Sequence, residues 1–343
     1  MEYRFDEIAF NSTAKKQPED SDRPYYIGLE HLDTNSLYVS RWGSDVTPVG
    51  EKLLMKKGDI LFGKRRAYQR KVGIAPFDGI FSAHGMVLRP KENLMDKDFF
   101  PFFISSDQFM ERAVRISVGG LSPTINWKDL KEQVFDIPSL GEQKALASKL
   151  WAAYKLREEY KRLLAATDEM VKSRFFSQFG ELPFDHKWND VLTIINGKAY
   201  GEEYKDSGSY PICGSGGIMG YGEKKMCDRD TIILGRKGNI DKPIYMTEDY
   251  WIVDTAFCLC ANTELVHPVY LYYWCKQFDF QKLNKQAVLP SLTRSDLEKI
   301  DIQVPEMKEQ LTFVEIVRQA DKSKFELKQT IEKIDKVMRA LMQ

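Results

Sequence analysis

The sequence predicts an α+β chain built twice over: two globular α/β units, each followed by a long helix, with the helices paired antiparallel as a coiled coil about a pseudo-twofold axis. Three observations predict it. The first is a seam. Phe313, Val317, Ala320, Lys324, Leu327, Ile331, Ile334, Met338 and Leu341 recur in alternating steps of four and three, and all but Lys324 are apolar. A sustained period of 3.5 residues belongs to a coiled coil rather than to an ordinary surface helix. The second is a matching seam 167 residues earlier: Leu146, Leu150, Ala153, Arg157, Tyr160, Leu164, Thr167, Val171 and Arg174, in which Arg157 falls on Lys324. The third is that the offset persists outside the helical period. Pro123, Ile125, Asp129, Leu130, Ile137, Pro138, Glu142 and Gln143 fall on Pro290, Leu292, Asp296, Leu297, Val304, Pro305, Glu309 and Gln310. A constant offset of this kind marks an internal duplication.

Length and composition agree. A chain of 343 residues suits two domains, and 43% apolar with 12% aromatic residues is enough to build two cores. Met1 to Phe10 has no basic start followed by an apolar run, and no stretch approaches about 18 consecutive apolar residues, so neither a secretory signal nor a membrane span is expected. The cysteines at 213, 227, 258, 260 and 275 are odd in number and confined to the second unit, which suits free thiols in a reducing cytoplasm. None of the histidines at 31, 84, 186 and 267 is spaced as a ligand pair, so no metal site is expected. The net charge is zero, so any nucleic-acid surface must come from clustering on one face.

In chain order, the first globular unit spans 1–140. Ile8 to Pro24 reads as polar loop. Tyr25 to Leu29 and Leu37 to Val39 read as short strands, and Gly58 to Gly63 as a buried strand bounded by glycines. Phe81 to Leu88 reads as one further strand, Asp98 to Phe109 as one buried helix and Asp129 to Gln133 as a short polar one. The first long helix covers 141–180 and is stopped by Gly180 and Pro183. The second unit, 181–304, repeats the plan with Arg229 to Leu234 as its core strand, and the second long helix covers 305–343. Cys258 and Cys260 alternate along a strand and share a sheet face.

Signatures of catalysis are missing. Gly58-x4-Gly63-Lys64 imitates a phosphate loop, but Arg65 stands where Ser or Thr must hold magnesium, and Ile-Leu-Phe reads as buried strand. Gly214-x-Gly216-Gly217 lacks the dinucleotide spacing and a following helix. No Pro-Pro occurs, so there is no adenine-methyltransferase motif. Glu142-x-Lys144 and Glu223-x-Lys225 lack an upstream Asp on a strand, and no Ser/His/Asp or Cys/His set is evident. The chain is therefore expected to have no catalytic centre of its own.

What remains is basic residues on loops that follow strands. Lys64, Arg65, Arg66, Tyr68, Arg70 and Lys71 follow the first core strand, with no acid from Ile60 to Phe77. Arg236, Lys237 and Asn239 recur at the same place in the second unit, with no acid from Thr231 to Ile240. Arg and Lys hold phosphates and read guanine edges, and Asn reads adenine.

At this point the pattern resembles the specificity subunit of type I restriction–modification systems. The resemblance rests on the globular–helix–globular–helix order and on Leu121-Ser-Pro-Thr-Ile-Asn-Trp-Lys-Asp-Leu130 with Ile137-Pro-Ser-Leu-Gly-Glu-Gln143. It rests equally on Leu289-Pro-Ser-Leu-Thr-Arg-Ser-Asp-Leu297 with Val304-Pro-Glu-Met-Lys-Glu-Gln310, on Gly214 to Tyr221 and on Ile233 to Gly238. It implies two target-recognition domains, each reading half of a split double-stranded DNA site, and adds Ser215, Tyr221 and Arg294 to the candidate DNA contacts. It also implies a modification subunit that methylates adenine with S-adenosylmethionine and a restriction subunit that uses ATP and Mg, with no cofactor held by this chain. Two rival readings are a coiled-coil scaffold joining protein-binding modules and a self-contained nuclease or methyltransferase.

Overall fold

The computed structural model describes residues 1–284 and 290–342. The chain forms two compact units, Met1–Lys161 with Gln329–Gln343, and Arg162–Lys328.

In the first unit the core strand Ile60–Phe62 is apolar at every position because both its faces are covered. Ile60 and Phe62 enter one apolar cluster and Leu61 the other, as a period of two requires. Around it lies a four-stranded sheet in the order Ala9–Ser12, Met86–Pro90, Ile60–Phe62, Val72–Ile74. A second sheet runs Lys15–Lys16, Lys52–Met55, Gly79–Phe81, Tyr26–Ile27, its last pair parallel. Glu2–Arg4 pairs with Val134–Asp136 just before the long helix. The helices Phe100–Ser105 and Asp107–Arg115 close the main core, where Phe5, Phe62, Phe109 and Phe135 are fully buried, each contributing about 1.5–3 kcal/mol by burial.

The second unit repeats this frame. Its main sheet is Leu192–Asn196, Ala256–Ala261, Thr231–Gly235, Ile244–Met246, and His186–Lys187 pairs with Asp301–Ile302. Ile232 and Leu234 face one cluster and Ile233 the other, the same alternation as in Ile60–Phe62. A three-stranded sheet of Gly217–Gly222, Tyr210–Gly214 and Trp251–Ile252 stands where the first unit has four strands. Cys258 and Cys260 do share a face, their sulfurs 3.5 Å apart.

Four local expectations are corrected. Ile8 to Pro24 is structured, with strands at Ala9–Ser12 and Lys15–Lys16 and a 3-10 turn at Asp20–Tyr25. Phe81 to Leu88 is two strands of different sheets, because Gly85 closes a turn on Ser82. Asp98 to Phe109 is two helices: Ser106 leaves helical geometry, and its hydroxyl caps the second by accepting from the Phe109 amide at 3.2 Å. Leu37 to Val39 is no strand. It runs beside the sheet edge with one bridge, from Tyr38 to Ile74.

The repeated Glu-Gln pair has a physical reason. Gln143, with no exposed surface, accepts from the Asp96 amide at 2.7 Å and donates to the Leu94 and Pro138 carbonyls, both at 2.9 Å. Gln310, equally buried, accepts from the His267 amide at 2.8 Å and donates to Leu265 and Pro305 at 2.9 and 2.8 Å. Each glutamine ties the start of its long helix to the segment leading into an earlier helix of its unit, Phe100–Ser105 or Pro268–Gln277. Glu142 closes the first helix start by bonding Ser139.

The long helices are Leu140–Phe179 and Met307–Leu341. Segments of both helices lie in the first unit, where they meet. Arg157, 5% exposed, meets Asp335 at 3.1 Å, and Leu150 and Tyr154 share a cluster with Met338, Ile334 and Leu341. Within the second unit Lys324 meets Asp168 at 3.0 Å, and Val171, Phe175 and Phe179 pack with Phe313, Val317 and Ala320. Burial opposes the Lys324 charge, but Asp321 and Asp168 more than offset it and hold its pKa above the ordinary value. Seam residues Leu146, Ala153, Tyr160, Leu164, Leu327 and Ile331 are half-buried. Tyr154, Phe175 and Phe179 are buried off the predicted seam because each helix also packs on the globular part of its own unit.

Replacing Gln143 by Leu should destabilise the first unit by about 3 kcal/mol, since the Asp96 amide and two carbonyls lose partners in a dry site. Gln310→Leu should do the same to the second. Urea unfolding monitored separately in each unit checks this; unchanged midpoints would remove the clamp.

Candidate nucleic-acid interface

In the first unit the polypeptide leaves the buried strand at Gly63 and becomes basic at once. The loop is held by its backbone, so its side chains are left available. The Lys64 carbonyl accepts from the Ile125 amide at 3.0 Å, the Arg65 amide donates to His84 at 3.2 Å, and the Arg66 amide donates to Pro123 at 2.7 Å. Arg66 is left-handed, φ 56°, a conformation that costs a non-glycine residue about 1 kcal/mol and is typical of functional sites.

The second unit uses the same three bonds. The Arg236 carbonyl accepts from Leu292 at 2.9 Å, the Lys237 amide donates to Thr255 at 3.1 Å, and the Gly238 amide donates to Pro290 at 3.0 Å. Gly238, φ 81°, stands where Arg66 does, so here the left-handed turn is free of strain.

The predicted residues divide into two groups. Arg65, Arg66 and Tyr68 are exposed and Lys64 is half-buried. Arg66 Nε donates to Ser122 Oγ at 3.2 Å. Arg70 and Lys71 turn back into the fold. Arg70 bonds the Ser105 carbonyl at 2.9 Å and pairs with Asp107 at 2.7 Å, and Lys71 bonds the Leu29 carbonyl at 2.6 Å. In the second unit Lys237 and Asn239 are exposed, and Arg236 is half-buried with its guanidinium 6.0 Å from the Phe257 ring. The glycine-rich hairpin brings Ser215 to this loop: a Cβ at Gly238 would lie 3.8 Å from Ser215 Oγ, and one at Gly216 would lie 3.8 Å from Asn239 Nδ2. Tyr221 is half-buried within the hairpin, paired with Lys205. Arg294 opens a one-turn helix two residues past Leu292 and pairs with Glu298 at 2.7 Å. Leu289 lies outside the described residues.

Two lysines and a histidine escaped the sequence reading. Burial, then the Lys15 charge, lowers the Lys64 pKa, and burial followed by Arg65, Lys64 and Lys52 lowers that of His84. Lys15, Lys52 and His84 therefore sit in the field of the same basic loop. Lys15 and Lys52 come from pairing Lys15–Lys16 with Lys52–Met55, and His84 from the turn after Gly79–Phe81, which also pairs with Lys52–Met55, contacts no local pattern announces. Among the described residues no carboxylate pairs with Lys64, Arg65, Arg66, Arg236 or Lys237, and no group of three or more His, Cys, Asp or Glu is placed to hold a metal ion. Burial pushes the Cys213 thiol up to about 12, which makes it a neutral core group. No described helix is long and apolar enough to cross a membrane.

A family model for the type I restriction modification DNA specificity domain matches residues 7–164 and 185–336. The chain belongs to that family. It is 26% identical over 188 residues to the type I restriction enzyme EcoDI specificity subunit of Escherichia coli. That match takes in 52% of this chain and 41% of the relative, so the chain spans about two-fifths of the relative's length. The fold is shared with the type I restriction-modification S subunit from M. genitalium, with a TM-score of 0.60, 15% identity, and 100% of this chain and 94% of that one covered. It is shared as well with a chain from a structure of type I R-M complex assembly and conformational transition, with a TM-score of 0.59, 16% identity and coverage of 100% and 96%. The two repeats of the family model correspond to the two mixed α/β units.

The specificity fold should weaken on mild acidification. Burial lowers the pKa of His31, His84 and His267 below the ordinary value near 6.5. Below that value the unfolded chain takes up more protons, so stability present in full above pH 6.5 is lost as the pH falls through it. The melting temperature should be lower at pH 5.5 than at 7.5. His267 Nδ1 caps a helix by accepting from the Val269 amide at 3.2 Å, so His267→Asn should reduce the difference. An equal melting temperature at both values would contradict the assignment.

Proposed function

We propose that this chain is the non-catalytic DNA-reading subunit of a type I restriction–modification assembly, each unit reading one half of a split double-stranded target. The observation that carries the reading is the basic loop fastened by the same three backbone bonds in both units. The fastening uses backbone, so side chains are left to meet phosphates and base edges, and they differ between units: Arg65 and Arg66 in one, Lys237, Asn239 and Ser215 in the other. One scaffold with two sets of tips suits two half-sites of different sequence.

On this reading the long helices act as a two-stranded spacer. Support comes from the pairing within each unit, Arg157 with Asp335 and Asp168 with Lys324. These are the same pair twice, since both members shift by 167 residues. The helices would also dock the modification subunit, which carries S-adenosylmethionine-dependent adenine methylation, and the restriction subunit, which uses ATP and Mg. Apolar side chains turned to solvent support a protein partner: Leu156 and Val337 in the first unit, Leu163, Met170 and Phe325 in the second, each 47–61% exposed.

Arg65→Ala with Arg66→Ala should weaken binding at one half-site, and Arg236→Ala with Lys237→Ala at the other, about tenfold or more for a lost guanine contact. Band-shift titrations against DNA scrambled in one half at a time read this out; equal loss at both halves from either pair would contradict two readers. Affinity should fall steeply between low and moderate salt, whereas a purely protein-binding scaffold would show no DNA affinity to screen. Deleting one matched heptad from each helix should shorten the preferred spacer by about three base pairs, roughly 10 Å at 1.5 Å per residue. An unchanged spacer would refute the ruler.

A further inference from the structure

The two units treat the outer edge of their main sheets differently. In the first, the edge strand Val72–Ile74 is covered by the chain itself: the Ile74 amide donates to the Leu37 carbonyl at 2.9 Å, Tyr38 bridges Ile74 in parallel, and Thr34 bridges Lys71. That segment is pinned on the long helix. The Tyr154 hydroxyl takes the Leu37 amide at 2.8 Å, and Arg157 donates to the Asn35 carbonyl at 3.0 Å. Leu37 is 4% exposed, and the cavity left there is about 320 Å³.

In the second unit the edge strand is Ile244–Met246. Ile60 faces Ile74 and Leu88, and Ile232 faces Tyr245 and Leu259, so Tyr245 is the counterpart of Ile74. In both units the neighbouring pair is closed by bonds inward: the Gly58 amide reaches Ala75, and the Asp230 amide reaches Met246. By that alternation the Tyr245 amide and carbonyl point to the open edge. Among the described residues no further strand lies there. A cavity of about 840 Å³ runs alongside, walled by Tyr245, Tyr272, Tyr273, Lys276, Val317 and Lys324. Lys324 stands where Arg157 does, and Tyr273 and Lys276 stand on the counterpart of the helix that carries Phe102 and Ser105.

We propose that this edge takes an extended segment of a partner protein, added as a parallel strand beside Ile244–Met246. The chemistry of the segment follows from the walls. An apolar side chain occupies the place Leu37 fills in the first unit, against Tyr272, Tyr273 and Val317. An acidic residue reaches Lys276, whose ammonium lies 5.5 and 5.1 Å from the Tyr272 and Tyr273 rings. The proposal rests on the reading that the chain works in a complex with modification and restriction subunits.

Hydrogen exchange of the full chain, alone and after assembly with each subunit on DNA, tests it. The Tyr245 amide should exchange about tenfold more slowly in one of the assemblies, and Lys276→Glu should abolish that slowing while the complex and DNA binding remain. The Ile74 amide, bonded to Leu37 in the free chain, should be slow throughout and serves as the internal standard. If the subunits assemble and the Tyr245 amide exchanges as in the free chain, the strand-addition site is overturned and the DNA-reading role stands. If the subunits do not assemble at all, both fall.

Discussion

A guanidinium cannot be buried without a counter-charge, and Arg157 is buried on a helix of amphipathic repeats that could otherwise slide by whole heptads. Asp335 is the residue that stops the slide. An apolar seam alone scores nearly the same in neighbouring registers. The bond from Arg157 to Asp335 does not survive a shift of a heptad, which leaves Asp335 without its cation and Arg157 with Glu158 of its own helix at 2.9 Å. The duplication then supplies the second copy of the constraint, Lys324 with Asp168. Within each unit, the placement of one helix segment on the other follows from this pair, and the globular frame is fastened to the helix start by Gln143 or Gln310.

The duplication, the helices and the buried core strands were legible because each rests on a short-range period or on a constant offset. Gly58 to Gly63 reads as a strand from its own composition, and the seam reads as a helix from its own spacing. The misreadings lie where a single polar residue or a distant contact decides. Ser106 splits a helix by offering its hydroxyl to an amide three residues on, a choice that an aromatic-rich window hides. Gly85 folds one apparent strand into two. Leu37 to Val39 has strand composition, but its backbone bonds include the Tyr154 and Ser36 hydroxyls and one edge residue, so it packs without joining the sheet.

The candidate interface was legible to the same depth. Basic residues after a core strand mark where a loop emerges, and that held for both units. What the residue string cannot hold is where each long side chain turns. Arg70 and Lys71 look equal to Arg65 and Arg66 in sequence, yet Ser105, Asp107 and the Leu29 carbonyl lie within their reach and draw them inward. Lys15, Lys52 and His84 look unrelated in sequence and arrive through strand pairing.

The offset itself carries a last inference about how such a chain diverges. The segment that fastens each basic loop obeys the spacing of 167 residues, while the loop obeys 172, as Gly63 and Gly235 show. The three fastening bonds nevertheless survive in both units. They can do so because they join backbone to backbone and ask nothing of the side chains, so insertions between the two segments leave the frame intact. Arg66 and Gly238 make the point at one position: the same amide donates to the same proline carbonyl, with strain in one unit and none in the other. A frame indifferent to side chains lets the tips change freely. That is the physical condition under which two copies of one fold come to present different surfaces without either losing its place on the helix.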